Sequence, residues 1–343
     1  MKKKLFIGID FSKKTFDVSL IEEKDPSNVL GYRQFANTRE GCGELLVWVR
    51  SHKSYAAEDR LFCGEHTGLY SVLLSEFLIR KGLFLWLENP LQVKMSSGIK
   101  RDKSDRTDSL TLALYACRNR DRAKLYQLPD KALRSLGLLL SFRERLLGNK
   151  HSLLVSSKEI RSVLQRDATV RLIYEQSGKQ IDRIDKDIKQ IEKQMSELIN
   201  TNEALRVNSE VISSIKGIAL INTAAILVAT GNFTRFETSR QFACFSGMAP
   251  FGRQSGSSIR TKPHVSRLAN IKLKVLLTQA ARCAVRYDLG LKTYYERKRA
   301  EGKDDSLVIN NVRNKLIHRI FALVANGQLY QADYHNALQK TTA

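Results

Sequence analysis

No apolar run in this 343-residue chain approaches about 18 residues, so nothing in it is long enough to span a bilayer. Its five cysteines, Cys42, Cys63, Cys117, Cys244 and Cys283, form no Cys-x-x-Cys pair and have no histidine at ligand spacing. That excludes the usual zinc frames and a disulfide scaffold, and leaves them as reduced core residues. The six histidines are scattered; His66 alone stands beside an acid of interest, and it reads as a hydrogen-bonding residue, not a base. Neither a Walker-type nor a dinucleotide glycine motif occurs, so no use of ATP or NAD is expected. Internal repeats and low-complexity tracts are absent, and aromatics are few, at 8%. The start Met1-Lys-Lys-Lys4 resembles the head of a secretion signal, but Asp10 interrupts the apolar stretch that follows. We expect a cytoplasmic protein with no membrane partner.

Positive charge is what the chain has in excess. Fifty-seven Lys and Arg against 35 Asp and Glu give +22, and the pI is near 9.9. This is the footprint of a protein that neutralises phosphates. Residues 253 to 299 hold 12 Lys or Arg and only two acids, so a phosphate backbone would be drawn there. With 43% hydrophobic residues, the chain is long enough to bury two cores.

Against that basic background four acids stand out. Asp10 closes the apolar run Leu5-Phe-Ile-Gly-Ile-Asp10, which places a carboxylate at a strand end where a metal can reach it; Gly8 lets backbones approach closely. Thr15 to Ile21 reads as a second strand after the turn Phe11-Ser-Lys-Lys14, and Val29 to Phe35 as a third. Thr38 can cap a helix carrying Leu45, Leu46, Val47 and Trp48. Leu61 to Glu65 and Leu83 to Glu88 read as parallel strands linked through a helix from Tyr70 to Lys81. The resulting order, βββαβαβα, is that of the RNase H fold. Glu65 ends its strand as Asp10 does; Glu88 is its rival at the end of the next, and we prefer Glu65. Asp105 and Asp108 open a helix running to Arg118 and, three residues apart, share one face. Acids in a first turn more often complement the helix dipole, the reading that suits Asp102. Oxygen-only ligands favour magnesium or manganese over zinc. Two such ions about 3.5 to 4 Å apart would stabilise the attacking and leaving oxygens at a phosphate.

From Asp130 to about Asn200 helix breakers are few, and a long helical connector is expected. Ile181, Ile184, Ile188, Ile191, Met195 and Leu198 recur in steps of three and four among mostly polar residues. This is a narrow heptad seam, open also to the reading of an interior amphipathic helix. We expect a coiled coil with an identical protomer, giving a dimer or tetramer. The earlier stretch, Leu133 to Leu164, has broader apolar coverage and is expected to pack within the chain. Farther on, Val211 to Ile215, Lys216-Gly-Ile218 and an apolar helix from Leu220 to Thr230, ended by Gly231, look like a helix-hairpin-helix whose glycine turn offers N–H groups to phosphate. Lys216 and Ala219 depart from the usual Pro-Gly-Ile-Gly, so a plain helical turn fits at least as well. Pro250-Phe-Gly-Arg-Gln-Ser-Gly-Ser-Ser258 is a Gly- and Ser-rich break between helical segments, by itself more often a flexible loop than a site. Arg253, Arg260, Lys262, Arg267, Lys272 and Lys274 around it are the candidate nucleic-acid contacts, and their charge would help activate a serine.

Taken in order, these segments resemble the bridge-RNA-guided DEDD transposases of bacterial insertion sequences, the IS-one-ten group, with the Piv-like DNA invertases as relatives. The resemblance lies in Gly8-Ile-Asp10 with Lys13-Thr15-Phe-Asp17, in Glu65 followed by Thr67-Gly68, in Asn89-Pro-Leu-Gln-Val-Lys94 and in Lys103-Ser-Asp-Arg-Thr-Asp108. It continues through Ile215-Lys-Gly-Ile-Ala219, Phe236 to Phe245, Gly247-Met-Ala-Pro250, Gln254-Ser-Gly256 and Leu268 to Ala281. Ser104 stands where Thr is usual, Ala269 where Gly is, and Lys274 where Arg is, the last losing bidentate phosphate contact. The resemblance implies an α/β plus all-α protein: an RNase H-like (RuvC-like) domain over 1–125, a helical, coiled-coil connector over 126–205, a mostly helical serine-bearing domain over 206–330 and a tail over 331–343. It implies magnesium held by Asp10, Glu65, Asp105 and Asp108, with Ser255, the serine before a glycine, as the nucleophile, chosen over Ser257 and Ser258. Donor and target DNA and a structured guide RNA are the implied partners. A hydrolytic RuvC-like endonuclease and a non-catalytic nucleic-acid-binding protein are the alternatives; the first leaves the basic loop unused, the second the carboxylates.

Overall fold

The computed structural model describes residues 3–52, 55–66, 68–96, 98, 104–164, 167–255, 259–266 and 268–331. It divides into two compact units, Met1–Leu128 and Pro129–Ala343.

In the first unit β1 (Leu5–Phe11), β2 (Thr15–Glu22) and β3 (Val29–Ala36) precede α1 (Arg39–His52), β4 (Arg60–Glu65), α2 (Leu69–Arg80), β5 (Leu85–Glu88), α3 (Pro90–Ser96) and α4 (Asp105–Arg118). The five strands lie in the order β3-β2-β1-β4-β5. β1 runs antiparallel to β2 and parallel to β4, and β4 runs parallel to β5. This mixed sheet is consistent with the RNase H-like order read from the sequence. Helices cover both of its faces, which is why β1 is apolar at nearly every position instead of alternating. Ile7, Ile9, Val18 and Phe62 pack with Leu45, Leu74 and Leu78 on one side. Phe6, Ile21, Leu61 and Trp86 pack with Leu112, Ala113 and Ala116 on the other. Phe6, Phe16 and Phe62 are fully buried, each contributing roughly 1.5–3 kcal/mol.

Local signals set the ends of the elements. The Thr38 hydroxyl accepts from Gly41 N–H at 3.2 Å, opening α1 as expected. β5 begins at Leu85, not Leu83, because Gly82 and Leu83 return their N–H groups to Ile79 and Leu78 and so finish α2. The short helix α3 was not expected as a separate element; the Asn89 side chain accepts from Leu91 N–H at 3.0 Å at its start.

The second unit holds α5 (Lys131–Val163), α6 (Ala168–Thr201), α7 (Glu203–Ser213), α8 (Leu220–Thr230), α9 (Ser239–Phe245), the hairpin β6 (Pro250–Ser255) and β7 (Ile259–Val265), α10 (Ile271–Tyr287), α11 (Leu289–Ala300) and α12 (Asp305–Asn326). In the connector the stripe of α6 takes the form of the interior amphipathic helix that the sequence left open. The seam of α6 faces α5 of the same chain, with Lys150 joined to Asp185 at 2.5 Å and Arg143 to Glu192 at 2.7 Å. Ile188, Ile191 and Met195 are buried without a second protomer. Both helices leave apolar side chains uncovered, among them Leu138, Phe142 and Val155 of α5 and Leu172 and Ile173 of α6. Leu136 of α5 and Ile191, Met195 and Ile199 of α6 join α8, α10 and α12 in one core. The cysteines are corrected: Cys42, Cys63 and Cys117 are buried, but Cys244 is exposed and Cys283 half-buried. No described helix is long and apolar enough to cross a membrane.

Candidate active site

Side chains on a strand alternate between faces, so one anchored residue fixes its neighbours two positions away. A Cβ on Gly8 would lie 2.0 Å from the Ser109 carbonyl oxygen and 2.3 Å from Ala113 N. The α4 backbone thus rests directly on β1, and Asp10, two residues on, looks to the same side. Ser19 of β2 hydrogen-bonds Ser109 of α4 at 2.8 Å, which puts Asp17 on that side as well.

Register completes the arrangement. Asp10 is paired with Asp17 across β1 and β2. Ile9 is paired with Gly64, making Asp10 and Glu65 the next neighbours, and Glu65 is paired with Glu88. Four acids, Asp17, Asp10, Glu65 and Glu88, therefore stand in a row across four adjacent strands on the α4 face, one strand spacing of about 4.8 Å apart. Asp105 and Asp108 meet them from the first turn of α4. That turn is held by Ser104, whose hydroxyl accepts from Thr107 N–H at 3.3 Å while Thr107 Oγ1 accepts from Ser104 N–H at 2.9 Å.

The two ends of the row differ from its middle. Asp17 is almost fully buried and accepts from the Tyr32 hydroxyl and, at 3.1 Å, from Gln34 Nε2, both on β3. The hydrogen bond to Asp17, helped by burial, pushes the Tyr32 hydroxyl up to about 12. Glu88 accepts from Asn89 N–H at 2.7 Å and from the Tyr115 hydroxyl at 3.0 Å. Asp10, between them, is half-buried, and its pKa is raised to about 6, first by burial and then by the negative charges of Asp108, Asp105, Glu65 and Asp17. A carboxylate crowded by carboxylates is relieved by a cation, and oxygen donors alone suit a hard divalent ion. The residues present fit magnesium or manganese in that chemical sense, although among the described residues no three acids or imidazoles are drawn together as ligands.

Asp10, Glu65, Asp105 and Asp108 are thus brought to one face of one sheet. Asp17 is the member that residue-by-residue reading missed. The signal for it was the hairpin itself: once Phe11 pairs with Phe16, Asp10 must meet Asp17. Asp102 lies outside the described residues.

In the second unit, the Gly- and Ser-rich break between helices proves to be a two-stranded ribbon. Ser255 is the last residue of β6, paired with Ile259. Arg253 lies on β6, and Arg260 and Lys262 on β7; Ser257, Ser258 and Arg267 fall outside the described residues. Lys272 Nζ donates to Glu144 Oε2 at 2.6 Å, so its charge is shared with an acid of α5. Lys274 lies beside Gly247, where its Cδ would be 3.6 Å from an added Cβ. At Gly217, φ is +95° and a Cβ would fall 2.6 Å from Ala280 O and Ala284 N. The turn presses against α10, which favours the plain-turn reading of Lys216-Gly-Ile218.

Two family models match the chain, the first of them running past Leu128 through α5. Residues 7–166 match the DEDD family model described as "Transposase", and residues 209–296 match the model described as "Transposase IS116/IS110/IS902 family". The "Pilin gene-inverting protein" of Moraxella bovis is 26% identical over 337 residues, covering 97% of this chain and 99% of that protein. The protein of the same name in Moraxella lacunata matches over the same share. An uncharacterized protein of insertion element IS110 from Streptomyces coelicolor is 32% identical over 124 residues, 36% of this chain and 30% of its own.

Proposed function

Because residues 7–166 and 209–296 match transposase family models of the IS110 type, we propose that the chain is a member of that family, a site-specific DNA recombinase that cuts and rejoins strands through the carboxylate row and a serine. The observation that carries the reading is Asp10, lifted to about 6 by burial and by the acids converging on it from three elements. Asp10, Glu65, Asp105 and Asp108 would hold divalent magnesium, or manganese in its place. When bound, the ion supplies Lewis acidity at the scissile phosphate. Ser255, on a ribbon whose segment carries 12 basic residues and two acids, attacks the phosphorus. Its Oγ–P bond forms as one P–O ester bond of the strand breaks; the serine proton departs and the released hydroxyl gains one. Attack by the hydroxyl of another strand end reverses the step and reseals the DNA with no nucleotide consumed. Arg253, Arg260, Lys262, Arg267, Lys272 and Lys274 hold the backbones, and a structured bridge RNA pairs with donor and target. The length of the match to proteins named as pilin gene inverters supports recombination over simple hydrolysis.

A denaturing gel tests this. Wild-type protein should run covalently attached to DNA, Ser255→Ala should lose adduct and strand transfer, and Asp10→Ala should lose at least about a thousandfold in cutting, roughly 4 kcal/mol of barrier. Cutting retained in Ser255→Ala but lost in Asp10→Ala would make the protein a hydrolytic endonuclease. Cutting undiminished in both would remove the reading. Sequencing the RNA that copurifies with the protein tests guidance, and recovery of no element-encoded RNA would remove that part.

A further inference from the structure

Beyond β5, at the edge of the sheet, a recess of about 550 Å³ opens, within the range of about 300–1,000 Å³ typical of ligand sites. It begins where the carboxylate row stops, because Glu88 belongs to both. Its walls carry three kinds of chemistry. Tyr115, half-buried and backed by the buried Trp86 ring 5.2 Å away, supplies aromatic surface, and Met95 adds a thioether that is 75% exposed. Gln92 of α3 and Asn119 at the end of α4 supply amides. Arg122 and Lys124 supply positive charge at the exposed rim.

The exposed members, Met95, Arg122 and Lys124, are not spent on the fold, whereas Trp86 belongs to the core and Asn119 Nδ2 donates to the Tyr115 carbonyl oxygen at 2.9 Å. Arg122 stands 3.9 Å from Asp121, with both side chains largely exposed, a loose pair that contributes little. Glu88 is engaged by Asn89 N–H and Tyr115 OH, so the one acid of the recess already has donors on both of its oxygens. An aromatic and sulfur-bearing wall accepts the face of a base, amides read its edge, and cations hold its phosphate.

We propose that this recess is a subsite for one unstacked nucleotide of the DNA strand, next to the phosphate handled by the carboxylate row. It rests on the reading of that row as the cutting site. An unstacked base placed here would fix the register of the strand relative to Asp10 and Glu65, at the unstacking cost of a few kcal/mol that base-extruding enzymes meet.

Photocrosslinking tests the assignment. The full-length protein, kept from cutting by a chelator, is irradiated with an oligothymidylate carrying one 5-iododeoxyuridine, which reacts with aromatic and sulfur-bearing side chains, and the adducts are mapped by mass spectrometry. Adducts should form at Tyr115 or Met95, and their yield should fall about tenfold in the double variant Arg122→Ala, Lys124→Ala, which removes two phosphate contacts. Both side chains are exposed, so the variant should melt with the wild type. Adducts confined to other residues, an unchanged yield in the double variant, or labelling only by the matching oligouridylate would each overturn the proposal. Failure of the cutting site itself shows separately, as Asp10→Ala protein that still cleaves.

Discussion

Asp10 in the first unit and Asp288 in the second are both aspartates drawn out of water, yet their charges are treated oppositely. Burial pushes both upward. At Asp288 that push is outweighed by hydrogen bonds from the Tyr330 hydroxyl and from Leu291 N–H at 2.8 Å, and by the Arg319 guanidinium at 2.9 Å, so its carboxyl is held below the usual range. At Asp10 the neighbours are Asp108, Asp105, Glu65 and Asp17, which add to the push and raise it to about 6. Partners, not depth, separate a carboxylate that ties a structure together from one set among like charges.

That comparison breaks most visibly at Asp288. Asp288→Ala leaves Arg319 without its acid and takes the cap from α11, and we expect a loss of about 3 kcal/mol in denaturant unfolding. Because the folded carboxyl is depressed, its contribution is present above the ordinary value of 3.8 and disappears as pH falls through the lower folded value. Stability unchanged in the variant would mean that Asp288 is no more anchored than a surface acid.

The assembly of the carboxylate site is more easily strained than the core. Gly8→Ala would drive a methyl into the Ser109 carbonyl and push α4, with Asp105 and Asp108, off the sheet. We expect a loss of about 2 kcal/mol, together with weaker manganese binding measured by calorimetry. Manganese affinity equal to wild type would separate α4 from the proposed metal site.

The smallest effect has the opposite sign. A carboxyl with a raised folded pKa burdens the fold above that value, and the burden lifts as pH drops through about 6 toward 3.8. Without metal, Asp10→Asn should therefore be more stable than wild type at pH 7, by about 1–2 kcal/mol after allowance for the half-exposure of the group, and equal to it near pH 4. A variant less stable than wild type at pH 7 would show that Asp10 is held by donors, like Asp288, and would close the contrast between them.

Residues acting through near neighbours were legible in the chain. The span of α4 from Asp105 to Arg118, the cap at Thr38 and the end of α8 at Gly231 all depend on a few adjacent residues, and each is where pattern reading put it. The acids at strand ends were legible for the same reason, because an apolar run that stops at a carboxylate marks a boundary. The ribbon around Ser255 was not. Gly252 and Pro263 weaken a strand signal, and cross-strand pairing with an irregular register forms it regardless.

The sequence by itself thus determined most of the strands and helices of the first unit, how several of them begin and end, and that acids stand at strand ends. Only the tertiary structure decided what those elements meet. It set Asp17 beside Asp10, tied Glu88 to Tyr115, gave the α6 seam to α5 of the same chain and shared Lys272 with Glu144. The reason is physical: propensity and capping act over a turn of chain, whereas strand register and helix pairing are settled among segments far apart in sequence, where the same apolar stripe is satisfied equally by a neighbour in its own chain or by one in another.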